Sequence, residues 1–286
     1  MVHHIKTGFR LTFQNKKLIA IFYFFNFIVG FILMLPLRQA LQTFGGQSLL
    51  MRNMAGAFNM DFLIDFITHR SHVLSIMIAI GIFGFLLYQL IQLFLSGGLF
   101  SLYLSDGRYE SHTFWGNSAL YWGKFFRLAL WSLLLLAVMV GGVFLFKGIE
   151  RMIWGKHPYE TTLYWNKVFR IVLLQVVFIV YGMILDYSRM VIVQTHERQT
   201  RKALLAGVRF VYQNFSITLG IALSIFLMGL VWLLIYNSIA NILTAPAAFI
   251  IFLLFIWQQT YMVGHLILQL ALYGAESSLF KTRTRT

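Results

Sequence analysis

The chain has 286 residues, of which 59% are hydrophobic and only 11% charged, well below the roughly 25% charged fraction of an ordinary soluble domain; water is not its main solvent. Its 23 Lys and Arg against 9 Asp and Glu give a net charge of +14, but no soluble module exists to read a nucleic acid, so the excess belongs to basic residues that flank membrane spans and meet anionic headgroups. Cysteine is absent, which excludes disulfides, thiolate metal sites and a cysteine nucleophile.

A span needs about 20 apolar residues to cross the hydrocarbon. The first such run, Leu18 to Leu37, follows a basic segment and ends at Arg38. It is longer than the roughly 7 to 15 apolar residues of a secretory signal and lacks a small-residue cleavage site, so it is expected to stay attached. After it, Asn59 is placed to cap a helix carrying Asp61, Asp65, His69 and His72 at i, i+4, i+8 and i+11, an arc of about 80° at about 100° per residue. Carboxylates and imidazoles together suit zinc, manganese or iron. One straight helix cannot wrap an ion over three turns, which leaves Asp65, His69 and His72 as the weak candidate ligands. The preferred alternative is an interfacial helix with Met60, Leu63, Ile64 and Ile67 on the bilayer and the Asp/His face in water, so neither metal nor cofactor is expected.

The second span, about 75–103, contains Gln89, Gln92 and Gly97-Gly98, the last pair read as close packing or a bend. The third, about 128–146, is preceded by a segment with Phe114, Trp115, Ser118, Ala119 and Trp122 on one helical face. The fourth, about 171–193, holds Asp186 and Arg189, three residues apart and therefore able to pair. That pair is either a structural lock or part of a polar path together with His265. A basic helix with Arg198, Arg201, Lys202 and Arg209 follows. Spans five and six, about 216–235 and 248–270, are separated by the polar run from Tyr236 to Pro246; span six contains Gln258, Gln259, His265 and Gln269. Residues 271–286 are expected as a basic cytoplasmic tail, and 1–286 as one integral membrane domain.

Placing both termini in the cytoplasm puts fifteen of the 23 basic residues inside and eight outside, the asymmetry expected of a cytoplasmic membrane protein. The chain also repeats. Gly8-Phe9-Arg10-Leu11-Thr12-Phe13-Gln14-Asn15 before span one matches Gly207-Val208-Arg209-Phe210-Val211-Tyr212-Gln213-Asn214 before span five, with four of eight positions identical. The face bearing Phe114 and Ser118 fits the second copy at an offset of 89 residues. These patterns predict an all-α polytopic bundle of about six transmembrane helices with interleaved cytoplasmic amphipathic helices, arranged as three two-span units.

The segment Phe13-Gln14-Asn15-Lys16-Lys17-Leu18 and the tetrad Asp186-Tyr187-Ser188-Arg189 are similar to uncharacterised bacterial six-span membrane families. Those families often carry Arg-Asn-Pro-Lys at the first place and Asp-Tyr-Ala-Arg at the second; here Gln-Asn-Lys-Lys and Ser188 stand instead. The chain also resembles, more loosely, the membrane region sometimes joined to glycerophosphodiester phosphodiesterases, without room for that catalytic domain. The resemblance implies a six-span bacterial membrane domain and no specific activity.

No nucleophile elbow, phosphate loop, metalloprotease histidine pair or dinucleotide fingerprint occurs, so an enzyme is not expected. The expected role is non-enzymatic binding of membrane lipids, or of a membrane-protein partner, in a bacterial inner membrane. Arg198, Arg201, Lys202 and Arg209 would dock anionic headgroups, and Trp115 and Trp122 would anchor at headgroup level. The competing expectation is a small transporter or lipid translocator whose path uses Asp186, Arg189 and His265.

Overall fold

The computed structural model describes residues 1–45, 71–154, 159–195, 199–243 and 247–284. Within them lie eight α-helices: α1 (Val2–Gln14), α2 (Lys16–Gly45), α3 (Ser71–Leu104), α4 (Ser111–Trp154), α5 (Glu160–Thr195), α6 (Thr200–Gln213), α7 (Phe215–Ile242) and α8 (Ala248–Thr284). Six of them, all but α1 and α6, are long and apolar enough to cross a membrane. The chain is an all-α polytopic membrane helical bundle.

Two asparagines decide where the short helices end. Asn15 stops α1 at φ −114°; its side-chain amide donates to the Leu11 carbonyl at 3.0 Å and its Oδ1 accepts the Tyr109 N–H at 2.8 Å. Asn214 stops α6 in the same way, donating to the Phe210 carbonyl at 3.1 Å. An asparagine side chain competes for the backbone carbonyls of the last turn, which favours a break there. At the equivalent place of the third repeat stand Lys124-Phe125, which offer no such competition. The separate amphipathic helix expected before span three is therefore continuous with the span, and α4 runs unbroken for 44 residues.

The described residues form two compact units. In the smaller, Ala20–Leu93, Gln92 donates to Asn26 Oδ1 at 3.1 Å and Gly84 lies against the Leu33 side chain, which holds α2 and α3 as a hairpin. Pro36 sits inside α2, as transmembrane helices tolerate.

The larger unit, Met1–Ile19 with Phe94–Thr286, is organised around three small residues. A Cβ on Gly8 would run into the Ala271 carbonyl and come within 2.7 Å of the Ala275 nitrogen, so α1 lies directly on the backbone of α8. A Cβ on Gly207 would collide with the Ser188 hydroxyl and approach the Ile184 carbonyl to 2.9 Å, so α6 lies equally close to α5. Ser118, wholly buried, meets Gly98, where an added Cβ would lie 2.6 Å from the Phe114 carbonyl. Gly8, Ser118 and Gly207 are equivalent positions of the repeat, and each packs on the end of the span preceding it, with α1 using the last span, α8. The polypeptide closes on itself at the end that bears both termini. Residues 271–284, expected as a tail, are the last turns of α8, with Ala271, Gly274, Ala275, Glu276, Ser277, Leu279 and Phe280 buried.

Smaller ties support this closure. Asp106, at φ 52°, holds the left-handed position of the turn after α3, which a short polar side chain tolerates. Its carboxylate pairs with Lys281 Nζ at 2.6 Å. Tyr103 and Thr12 share a hydrogen bond at 3.3 Å.

Candidate functional site

The site grows from the inner turns of α5 and α8. Asp186 and Arg189 share a face of α5, and Arg189 Nη1 donates to Asp186 Oδ1 at 2.9 Å. Their side chains are 11% and 15% exposed, so the pair is buried as well as bonded. From α8, Glu276 joins them at 1% exposure, and its Oε2 has no hydrogen-bond partner among the described residues. Of these two buried acid groups, Asp186 is the one bonded to the guanidinium. Tyr273, one turn earlier on α8, accepts a hydrogen bond from Gln269 Nε2 at 3.1 Å.

One turn beyond Glu276, Phe280 packs against Phe210 and Tyr187, with ring centroids 5.2 Å and 6.3 Å away; Tyr187 and Phe210 are 4.6 Å apart. This triangle draws one ring from each of α5, α6 and α8 and lies between the carboxylates and the terminal end. In the other direction the carboxylates line a cavity of about 470 Å³ between α5, α7 and α8. Its wall is mostly apolar, including Met183, Ala222, Ile225, Phe226 and Leu268. Gly182 and Gly229 leave it room: an added Cβ at Gly182 would meet nothing within 4 Å, and at Gly229 only a Leu268 methyl at 4.0 Å. From Tyr261 to Glu276, fifteen residue steps along α8, the cavity extends for roughly 22 Å at 1.5 Å per residue.

The sequence-predicted residues separate into distinct places. Asp186 and Arg189 pair as expected of neighbours three apart. His265 is exposed on the same cavity wall, its ring 6.3 Å from that of Tyr261; eleven residues from Glu276, it is about 16 Å away along the helix. Arg201 lies flat over the Trp131 ring at 3.7 Å, a stacking that ties α6 to α4, while Lys202 and Arg209 are exposed. Trp122 is 44% exposed, and Trp115 is half-buried, stacked on Phe94 at 6.0 Å. Arg198, Asp65 and His69 lie outside the described residues, as does the side chain of His72. Among the described residues no three His, Asp or Glu side chains gather as metal ligands.

Glu276 was not legible as a site residue, because it stands beside Lys281, Arg283 and Arg285 and counts with a charged tail. The available signal was the small-residue stripe Ala271, Gly274, Ala275, which marks close helix packing and not a tail.

Fold and site define a multi-pass helical membrane protein with a largely apolar cavity ending in buried acid groups. Comparison with models of protein families, with curated proteins and with solved structures finds no match.

Proposed function

We propose that the protein is a non-enzymatic lipid-binding protein of a bacterial inner membrane, and that the α5–α7–α8 cavity holds one lipid molecule. The observation that carries this reading is the cavity itself: an apolar wall about as long as an acyl chain, leading to a polar end. Its volume of about 470 Å³ lies in the roughly 300 to 1,000 Å³ range of small-molecule sites. Each methylene of a chain seated there gains or loses little relative to bilayer lipid, so selectivity rests on the polar end and on shape.

The level of that end supports the same reading. Gly8 meets Ala275 beside Glu276, and Gly207 meets Ser188 between Asp186 and Arg189's neighbours, so the acid groups sit at the depth of the two amphipathic helices. Such helices lie at the headgroup boundary. The outward stripe of α6, Lys202, Leu205, Arg209 and Tyr212, and that of α1, Lys6, Arg10 and Phe13, are exposed, as befits side chains that snorkel towards anionic headgroups on the cytoplasmic leaflet. The cavity lining contains no serine, threonine or lysine.

The experiment is native mass spectrometry of the full chain released from membranes in mild detergent, beside Gly182→Phe. The wild type is expected to retain one lipid per chain and the variant none, since a phenyl ring fills space that is empty of protein. Equal retention by both proteins would sink the reading. A second reading, translocation, is favoured by His265, Gln269, Tyr273 and Glu276 recurring along one face of α8 within the cavity; transfer of a labelled lipid between leaflets of reconstituted vesicles separates it from static binding.

A further inference from the structure

The acid end of the cavity sets two carboxyl groups, those of Asp186 and Glu276, against one guanidinium, that of Arg189. Asp186 and Glu276 both line it, 8% and 1% exposed. Arg189 is the basic side chain beside them, and its Nη1 is already committed to Asp186 at 2.9 Å. Glu276 Oε2 is buried with no hydrogen-bond partner among the described residues, and so are Arg189 Nε and the Tyr187 hydroxyl. The Tyr273 hydroxyl accepts from Gln269 Nε2, and the facing wall of α7, with Ala222, Ile225 and Phe226, brings no polar group.

A buried carboxylate oxygen without a donor is a vacancy for one. The head of a net-anionic lipid brings no positive charge to set beside the second carboxyl group. A choline nitrogen is cationic but has no N–H. A primary ammonium offers three donors and a positive charge together, and it forms the stronger, charge-assisted class of hydrogen bond.

We propose that this end of the cavity receives the primary ammonium of an amphiphile, directed at Glu276 Oε2 and Asp186, with the amphiphile's chain along the α5–α7–α8 wall. The inference rests on the lipid-cavity reading above and adds the headgroup class. It assigns Glu276 as the residue that selects among lipids, and Gly182 and Gly229 as the residues that make room for the chain.

The test uses the full chain in detergent, stripped and then offered equimolar dioleoyl phosphatidylethanolamine, phosphatidylcholine and phosphatidylglycerol, with bound lipid read by native mass spectrometry. The ethanolamine lipid is expected to exceed each of the others by about ten-fold, the worth of one charge-assisted hydrogen bond. Glu276→Gln is expected to retain lipid but lose that ratio, and Gly182→Phe to lose all three lipids. Because the preference is a ratio within one preparation, it does not depend on yield. Free ethanolamine, which has the head without the chain, is expected to displace nothing; displacement would overturn the amphiphile requirement. One retained lipid with no preference, or with phosphatidylglycerol preferred, overturns the headgroup assignment and leaves the cavity reading standing. Lipid that survives in Gly182→Phe overturns both.

Discussion

Replacing Gly8 with alanine is expected to loosen α1 from α8. The new methyl would occupy space held by the Ala271 carbonyl and come within 2.7 Å of the Ala275 nitrogen. Both are backbone atoms of a helix, so neither can turn aside and α1 must move outward as a body. Overpacking of this kind costs about 1 to 3 kcal/mol, offset by up to about 1 kcal/mol from the better helix propensity of alanine. Gly116→Ala is the matched control: its Cβ would meet nothing within 4 Å, so it keeps the gain and avoids the clash. The two variants should therefore differ by about 1 to 3 kcal/mol, or very roughly 2 to 12 °C at about 2 to 4 °C per kcal/mol for chains approaching this size. The assay is thermal unfolding of the full chain in detergent by tryptophan fluorescence. A midpoint for Gly8→Ala equal to or above that of Gly116→Ala would refute direct backbone contact between α1 and α8.

Three further outcomes are expected. Asp186→Ala leaves Arg189 buried without its bonded partner and should cost about 3 kcal/mol, while Asp186→Leu with Arg189→Met should recover most of it; wild-type stability in the single variant would show that the pair locks nothing. Asn15→Ala removes two hydrogen bonds, to the Leu11 carbonyl and from the Tyr109 N–H, where Asn214→Ala removes one; at about 0.5 to 1.5 kcal/mol per bond, the first variant should melt lower, and the reverse order would contradict the hinge geometry. His4 bonds Ser278 through Nδ1 at 3.0 Å, and burial first, then the N-terminal ammonium, lowers its pKa below 6.5. The unfolded chain therefore binds the proton more readily, so this contribution to stability is present above about pH 6.5 and is lost as pH falls through the lowered value. His4→Gln should flatten that part of the pH profile, measured as melting midpoint between pH 7.5 and 5, and an unchanged slope would remove His4 from the account.

The spans were legible because an uncharged run of about 20 residues has few alternatives to crossing a bilayer. Asp186 and Arg189 were legible for a related reason, since helical spacing alone brings residues three apart together. What failed was inference about the ends of helices. α8 continues past Leu270 because Ala271, Gly274 and Ala275 let Gly8 approach, a contact across nearly the whole chain that no local pattern announces. The helix before span three merges with it because Lys124-Phe125 replaces the Gln-Asn of the other copies, a difference visible only when the repeats are aligned residue by residue. Arg201, read as a headgroup contact, lies on Trp131, seventy positions away in sequence and adjacent in space.

The closure of α1 on α8 sets an order on biosynthesis. His4 and Ser278, hydrogen-bonded in the folded protein, are 274 residues apart, so α1 leaves the ribosome long before α8, the helix it docks on. Until then its face of Ile5, Gly8 and Leu11 has only the membrane surface to rest on, which its amphipathic pattern allows. Docking of α1 thus waits for α8, and a chain truncated within α8 would expose the α1 face that the folded protein keeps covered.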